Sequence, residues 1–238
     1  MNAMLYGIKL QLKMDIRSKT LLITCYIVPL LFFAFMGGIF TSLMPETKDT
    51  LIQAMTILGI SMGTLAGVPS LISEIYSSNI KKMYIANGIP IHFGIVSMVV
   101  SAFIHLMIMS MIILVAAPII FDASIPSNLL LYIITLALFI TVSLSISCVL
   151  GLAIKNQSKL TMYSQVIFLP SIMLSGIMFS TEMLPQVLKS AGKLLPATWG
   201  YILLTQKNIE ADTFIPLFII LFISMLANFQ LLKKIRSE

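Results

Sequence analysis

The chain has 238 residues, of which 58% are hydrophobic and 10% are charged, and its formal net charge is +6. Soluble domains carry about 25% charged residues, so this composition excludes a soluble enzyme, a disordered chain and a fibrous repeat. The apolar residues form long uninterrupted runs, unlike the short alternating segments of outer-membrane barrels. The sequence therefore predicts an all-α integral membrane protein, with a single membrane domain over residues 1–238.

Residues 1–19 are predicted to form an amphipathic helix on the cytoplasmic membrane surface. The apolar positions recur at helical spacing at Leu5, Ile8, Leu12 and Ile16. The basic positions form an adjacent row at Lys9, Lys13 and Arg17. An interfacial helix of this kind buries its apolar face in the headgroup region. A plain basic anchor is a compatible alternative.

Six apolar segments are long enough to cross a bilayer as helices, since a crossing takes about 20 residues. None of them contains Asp, Glu, Lys or Arg. They lie at residues 20–43, 51–73, 93–121, 129–154, 161–180 and 213–232. Six transmembrane helices place both termini on the same side of the membrane.

Basic residues are strongly biased to one side of this topology. The N-terminus, the segments 74–92 and 155–160 and the C-terminal tail together hold eleven, and the opposite side holds four. Basic loops stay in the cytoplasm. We therefore expect a multi-pass protein of the cell membrane whose termini are both cytoplasmic.

The second span contains Gly59, Gly63 and Gly67, which share one helix face. Small residues at every fourth position allow close helix packing, and a subunit interface is the sharper interpretation. The third span holds His105, the only Asp, Glu, Lys, Arg or His within the six predicted spans. A helix–helix hydrogen bond is the simpler role for this histidine, and a place on a proton pathway or in contact with a substrate is the alternative.

Motifs of several enzyme classes are missing from the sequence. There is no GxxxxGK[ST] loop and no HExxH, so we expect no catalytic residues, no metal site and no bound cofactor in this chain. Cys25 and Cys148 lie inside apolar runs and form no CxxC pair. They are expected to be buried free thiols.

The segment 74–92 is predicted to be a short cytoplasmic helix that docks onto a partner protein. Its apolar face would contain Ile75, Ile80, Met83 and Tyr84, and Asn87–Gly88 is a plausible helix end. A simple surface connector is the alternative.

The segment 181–210, on the external side of this topology, contains a second amphipathic stretch. Lys189 and Lys193 share one helix face, and Trp199 and Tyr201 suit the headgroup level. A full crossing in this region would place the basic tail outside the cell, so we expect an interfacial or re-entrant segment instead.

Together these features resemble the transmembrane permease subunit of type-2 ABC exporters, the ABC-2 family. The resemblance covers almost the whole chain. It rests on the amphipathic first helix, six spans, a segment that begins at Glu74, and a distinctive ending to the fifth span. That ending consists of Leu169–Pro170, Leu174–Ser175–Gly176, Phe179, Leu184–Pro185 and Leu195–Pro196, followed by Trp199.

The resemblance implies roles for these residues. The segment 74–92 would contain the coupling helix that contacts a cytoplasmic ABC ATPase, through Glu74, Ile75, Ile80, Lys81, Lys82, Met83 and Tyr84. Short external re-entrant helices would carry Ser175, Gly176, Pro185, Pro196 and Trp199. Many relatives have Gly and Arg soon after the glutamate, where this chain has Ser77, Ser78 and Asn79.

The implied function is export of a hydrophobic or amphipathic substrate, such as a drug, an antimicrobial peptide or a lipid-like molecule. ATP and Mg would bind to the partner ATPase, and a second permease subunit, identical or a sister protein, would complete the pathway. The other expected partner is membrane lipid, and no nucleic acid is expected. The alternatives are an ion-coupled transporter or channel, or a non-transporting immunity or scaffold protein.

Overall fold

The computed structural model of the protein describes residues 3–77, 83–84, 86–206 and 211–237. Within these ranges the chain is helical apart from short turns and loops, which confirms the all-α prediction. We number the helices α1 (Ala3–Arg17), α2 (Ile23–Leu43), α3 (Leu51–Tyr76), α4 (His92–Phe121), α5 (Leu129–Ala153), α6 (Gln157–Met173), α7 (Gln186–Gly192), α8 (Pro196–Thr205) and α9 (Ala211–Ser237).

Five of the described helices are long and apolar enough to cross a membrane, namely α2, α3, α4, α5 and α9. They correspond to five of the six segments that the sequence predicts. The remaining segment, 161–180, differs from the prediction, because its helix α6 covers Gln157–Met173 and ends inside the apolar run.

Helix α3 is the central helix of the bundle. Every residue from Leu51 to Ser61 is buried, and α2, α4, α5 and α8 all pack around the helix. A helix that is surrounded on all sides must be apolar or small all round. Its glycines provide the closest approaches: a Cβ on Gly63 would lie 2.6 Å from Leu106 Cδ2 of α4, and one on Gly67 would lie 3.0 Å from Thr24 Oγ1 of α2.

One π-helical turn begins α2, a second lies within α3, and the two contact each other. They cover Ile23–Ile27 and Met62–Gly67, and each lies just before a proline, Pro29 or Pro69. Proline removes a backbone donor and disturbs the preceding turn, and a π turn is one local way to accommodate it.

Hydroxyl groups pair with the carbonyls around the π turn of α3. Ser147 Oγ of α5 donates to the Thr64 carbonyl at 2.6 Å, and Ser70 Oγ donates to the Gly67 carbonyl at 2.7 Å. An unpaired carbonyl in an apolar interior is costly, so these serines make the irregular turn compatible with burial.

The bundle has two distinct ends. The α1 end holds α1 and residues 73–77, 91–95 and 154, where Ser73 Oγ donates to the Ile154 carbonyl at 3.0 Å. The α8 end holds residues 45–49, 122–128 and 174–206, where Ser124 Oγ donates to Asp49 Oδ1 at 2.7 Å. Helix α3 connects the two ends through the core.

The close contact between α3 and α5 gives a first testable prediction. A Cβ on Gly151 would lie 2.7 Å from Ile72 Cβ and 2.8 Å from the Pro69 carbonyl oxygen. We expect Gly151→Ala to lower the free energy of unfolding by about 1–3 kcal/mol, the usual cost of overpacking. The measurement is the midpoint of thermal unfolding in detergent.

The matched control is Gly38→Ala in α2, where the nearest atom lies 3.8 Å from the added Cβ. This substitution should leave the midpoint nearly unchanged. Equal midpoints for the two variants would contradict the packing of α3 against α5.

Candidate functional site

A cavity of about 690 Å³ opens at the α8 end of the bundle. We call it the main cavity. It lies between the turn Pro45–Asp49, the first residues of α3, the segment 175–181 and the end of α8. Its apolar lining includes Phe40, Met44, Met178 and Phe179. Its polar lining includes Glu46, Thr47, Thr50, Ser180 and Thr181. The main cavity is therefore amphipathic.

One wall of the main cavity forms because α6 ends early. Gly176 has a φ of +93°, which L side chains rarely adopt. A Cβ on this residue would also lie 3.1 Å from Thr181 Cγ2 and 3.3 Å from the Tyr201 ring. Ser175 Oγ donates to the Ile172 carbonyl at 2.9 Å and so pairs one carbonyl of the last turn. The chain can thus leave the helix within an apolar stretch.

Helices α7 and α8 support this wall. Pro185 is the residue that precedes α7, and Pro196 begins α8, a position where a missing N–H costs nothing. Thr198 Oγ1 donates to the Gly192 carbonyl at 2.7 Å, and Trp199 Nε1 donates to the Lys193 carbonyl at 2.7 Å. These two bonds join the end of α7 to the start of α8.

The structure therefore brings the five residues of the predicted external motif into one folded segment. Ser175 and Gly176 line the main cavity. Pro185, Pro196 and Trp199 are not lining residues and instead fix the two short helices.

The segment that begins at Glu74 lies at the opposite end of the bundle, the α1 end. Glu74 and Met83 are exposed, and Ile75 packs partly against the core. The ring of Tyr84 lies over Gly94, whose added Cβ would come within 2.9 Å of Tyr84 Cε2. The predicted contact residues Ile80, Lys81 and Lys82 fall outside the described residues.

Two features define the course of this segment. The Tyr76 hydroxyl donates to the Ile91 carbonyl at 2.5 Å and accepts from the Ile95 N–H at 3.2 Å, so both ends of the connection meet. Gly88 has a φ of +67° and follows a turn in which the Asn87 N–H bonds to the Met83 carbonyl.

His105 lies between helices, buried to 97% of its surface. Its Nδ1 is 2.8 Å from the Tyr26 hydroxyl of α2, and the two rings meet edge to face with centroids 5.7 Å apart. The other ring nitrogen, Nε2, is buried without a hydrogen-bond partner among the described residues. The contact with Tyr26 is a helix–helix hydrogen bond.

A buried carboxylate near this helix pair was missed by the sequence analysis. Asp15 of α1 is 5% exposed. It accepts hydrogen bonds from Ser101 Oγ of α4 at 2.5 Å and from Gln11 Nε2 at 2.8 Å. The available signal was its position: Asp15 lies three residues after Leu12, close to the apolar stripe of an otherwise basic helix. Buried acidic groups in membrane proteins are costly unless hydrogen-bonded.

The comparisons with known proteins agree with this architecture. The family model described as ABC-2 type transporter matches residues 5–209, which covers most of the chain and extends from within α1 to beyond the end of α8. No curated protein matches the chain.

The contact between α1 and α4 gives a second testable prediction. Ser101→Ala would leave the buried Asp15 carboxylate with one fewer donor. We expect a loss of about 1–3 kcal/mol, the cost of an unsatisfied buried polar group, together with faster trypsin cleavage after Lys13 and Arg17. Thermal unfolding and limited proteolysis measure the two effects.

Ser110→Ala is the matched control, because Ser110 is also buried in α4 but its hydroxyl donates to the Leu106 carbonyl of its own helix. Unchanged cleavage of α1 in Ser101→Ala would show that Asp15 does not hold α1 on α4.

Proposed function

Because the chain belongs to the ABC-2 type transporter family, we propose that it is the membrane-spanning permease subunit of an ATP-driven exporter. The observation that carries this proposal is the family match over residues 5–209. The chain has no GxxxxGK[ST] sequence, so a separate cytoplasmic ATPase would bind ATP and Mg. The chain itself would not be an enzyme.

In this proposal α6 is the fifth of six spans. Its 17 residues extend about 26 Å at 1.5 Å per residue, slightly less than a hydrocarbon core of roughly 30 Å. The apolar, non-helical residues 174–179 would complete the crossing. Irregular backbone at membrane depth is tolerated where it lines a cavity, and five residues of this stretch, Ser175 to Phe179, line the main cavity.

The bias of basic residues supports a cytoplasmic α1 end and an external α8 end. Both termini would then be cytoplasmic, and residues 181–210 would form the external re-entrant segment. Helix α1 suits a cytoplasmic surface helix, because its exposed basic residues would lie at the headgroup level.

The coupling between ATPase and cavity would run through α3. ATP-driven movement of the ATPase would push on the segment 74–92, where Glu74, Met83 and the residues Ile80, Lys81 and Lys82 are the proposed contacts. Helix α3 begins beside the main cavity and ends in this segment, and a rigid helix transmits displacement between two packed ends.

The substrate class follows from the cavity lining. Apolar side chains such as Phe40 and Phe179 lie beside the polar groups of Thr47 and Thr181, so we propose a hydrophobic or amphipathic substrate that is moved out of the cell. A second permease subunit, identical or a sister protein, would pair with this chain to complete the pathway.

A third prediction tests the contact with the ATPase. We expect Glu74→Lys to lower the amount of ATPase that co-purifies with the tagged chain in mild detergent by about tenfold, because it places a cation in the proposed interface. The measurements are the recovered ATPase and the ATP hydrolysis of the complex.

Glu182→Lys is the matched control, since Glu182 is an exposed glutamate at the α8 end. This variant should recover the ATPase fully. Purification of the wild-type chain without any ATPase would contradict the permease function and favour an ion-coupled transporter that uses His105, or a scaffold protein.

A further inference from the structure

A second, polar cavity adjoins the main cavity at the α8 end. We call it the polar chamber. It has a volume of about 290 Å³ and lies between the start of α3, the loop 124–128, the start of α5 and the end of α8. Thr205 and Gln206 line both cavities, so the two are neighbours across one short stretch of chain.

Most polar side chains of the polar chamber already have hydrogen-bond partners. The Tyr132 hydroxyl pairs with the Thr56 hydroxyl at 3.0 Å, and Asn128 Oδ1 accepts from the Leu131 N–H at 3.0 Å. Gln53 differs because it is 95% buried and its Oε1 has no hydrogen-bond partner among the described residues. A buried acceptor without a donor costs free energy, and a ligand that donates a hydrogen bond would remove that cost.

A carboxylate accompanies this acceptor. Asp49, the last residue of the turn before α3, lines the polar chamber together with Gln53. Ser124 Oγ donates to one oxygen of Asp49, and no ion pair of Asp49 is found in the described part of the chain. The neighbouring Lys48 instead contacts Asp122, with Nζ 3.6 Å from Oδ2.

The charged side chains among the described lining residues of the two cavities are both acidic. Glu46 lines the main cavity and Asp49 lines the polar chamber, and the described lining residues of neither cavity include Lys or Arg. The polar chamber thus offers a carboxylate and an amide oxygen as acceptors. An ammonium group has three donors and a positive charge, and its hydrogen bonds to carboxylates are among the stronger ones in proteins.

We propose that the two cavities form one binding site for a cationic amphiphile, with its primary ammonium group in the polar chamber and its apolar body in the main cavity. Asp49 and the Gln53 side-chain oxygen bind the ammonium group, and Phe40, Met44 and Phe179 contact the apolar body. The external location of the site and its use in export rest on the proposed function, but the binding itself does not.

The test uses octylamine as the probe, which is cationic near neutral pH. Octan-1-ol and octanoate are matched neutral and anionic probes of the same chain length. Binding to the chain in nanodiscs of zwitterionic lipid is measured by isothermal titration, and empty nanodiscs provide the correction for partition into lipid. We expect octylamine to bind at least about tenfold more tightly than either matched probe.

Substitutions then locate the ammonium group. Asp49→Asn and Gln53→Met keep the size of each side chain, and each should weaken octylamine binding by about tenfold. The effect on octan-1-ol should be smaller, because this probe is neutral and donates a single hydrogen bond. Gln53→Glu adds a carboxylate and should strengthen octylamine binding. Glu182→Gln removes an exposed acid at the same end that lines neither cavity, and it should change the affinity less than about twofold.

The outcomes separate this inference from the proposed function. Equal affinity for octylamine and octan-1-ol, or unchanged octylamine binding in Asp49→Asn and Gln53→Met, would overturn the ammonium site even if an ATPase co-purifies. Selective octylamine binding that depends on Asp49 would support the site even if no ATPase is recovered, a result that counts against the permease function alone.

Discussion

The structure depends on the burial of α3 at the centre of the bundle. A helix that is enclosed on every side must satisfy all of its backbone polar groups without water. The π turn at Met62–Gly67 makes this difficult, and Ser147 of α5 donates to the Thr64 carbonyl there. The glycines of α3 and Gly151 of α5 bring the helices close enough for these bonds to form. The positions of the α1 end and the α8 end follow from the packing of the other helices around α3.

The two ends of the bundle differ in chemistry. At the α1 end, exposed Glu74 and Met83 and the basic surface of α1 suit contact with a protein and with lipid headgroups. At the α8 end, two adjoining cavities carry Glu46 and Asp49 beside apolar walls. One helix connects them, so a displacement at one end has a direct mechanical route to the other.

Much of the fold could be predicted from the sequence, because long apolar runs identify spanning helices without knowledge of their partners. The end of α6 could not be placed in this way. The sequence remains largely apolar through Phe179, whereas α6 ends at Met173 and Gly176 adopts a positive φ beside Thr181 and Tyr201. Hydropathy does not report this local backbone geometry. Two residues of the predicted external motif, Ser175 and Gly176, lie in the segment that lines the main cavity.

Side-chain pairs between distant parts of the chain also could not be predicted from the sequence. His105 could be identified as an unusual residue of its span, but its partner Tyr26 lies 79 positions away. Asp15 and Ser101 are 86 positions apart. Gln53 and Asp49 become a candidate site only when the loop 124–128 and α8 close the polar chamber around them. Such pairs are set by tertiary packing, which hydropathy patterns do not encode.

The most direct test of this architecture asks whether α6 crosses the membrane. Ser158, in the first turn of α6, is exposed near the α1 end, and Ser190, in α7, is exposed at the α8 end. The natural cysteines Cys25 and Cys148 are buried. We expect a membrane-impermeant maleimide to label Ser190→Cys in intact cells and Ser158→Cys only after permeabilisation. Labelling of both variants under the same condition would show that α6 does not cross and would contradict the six-span topology.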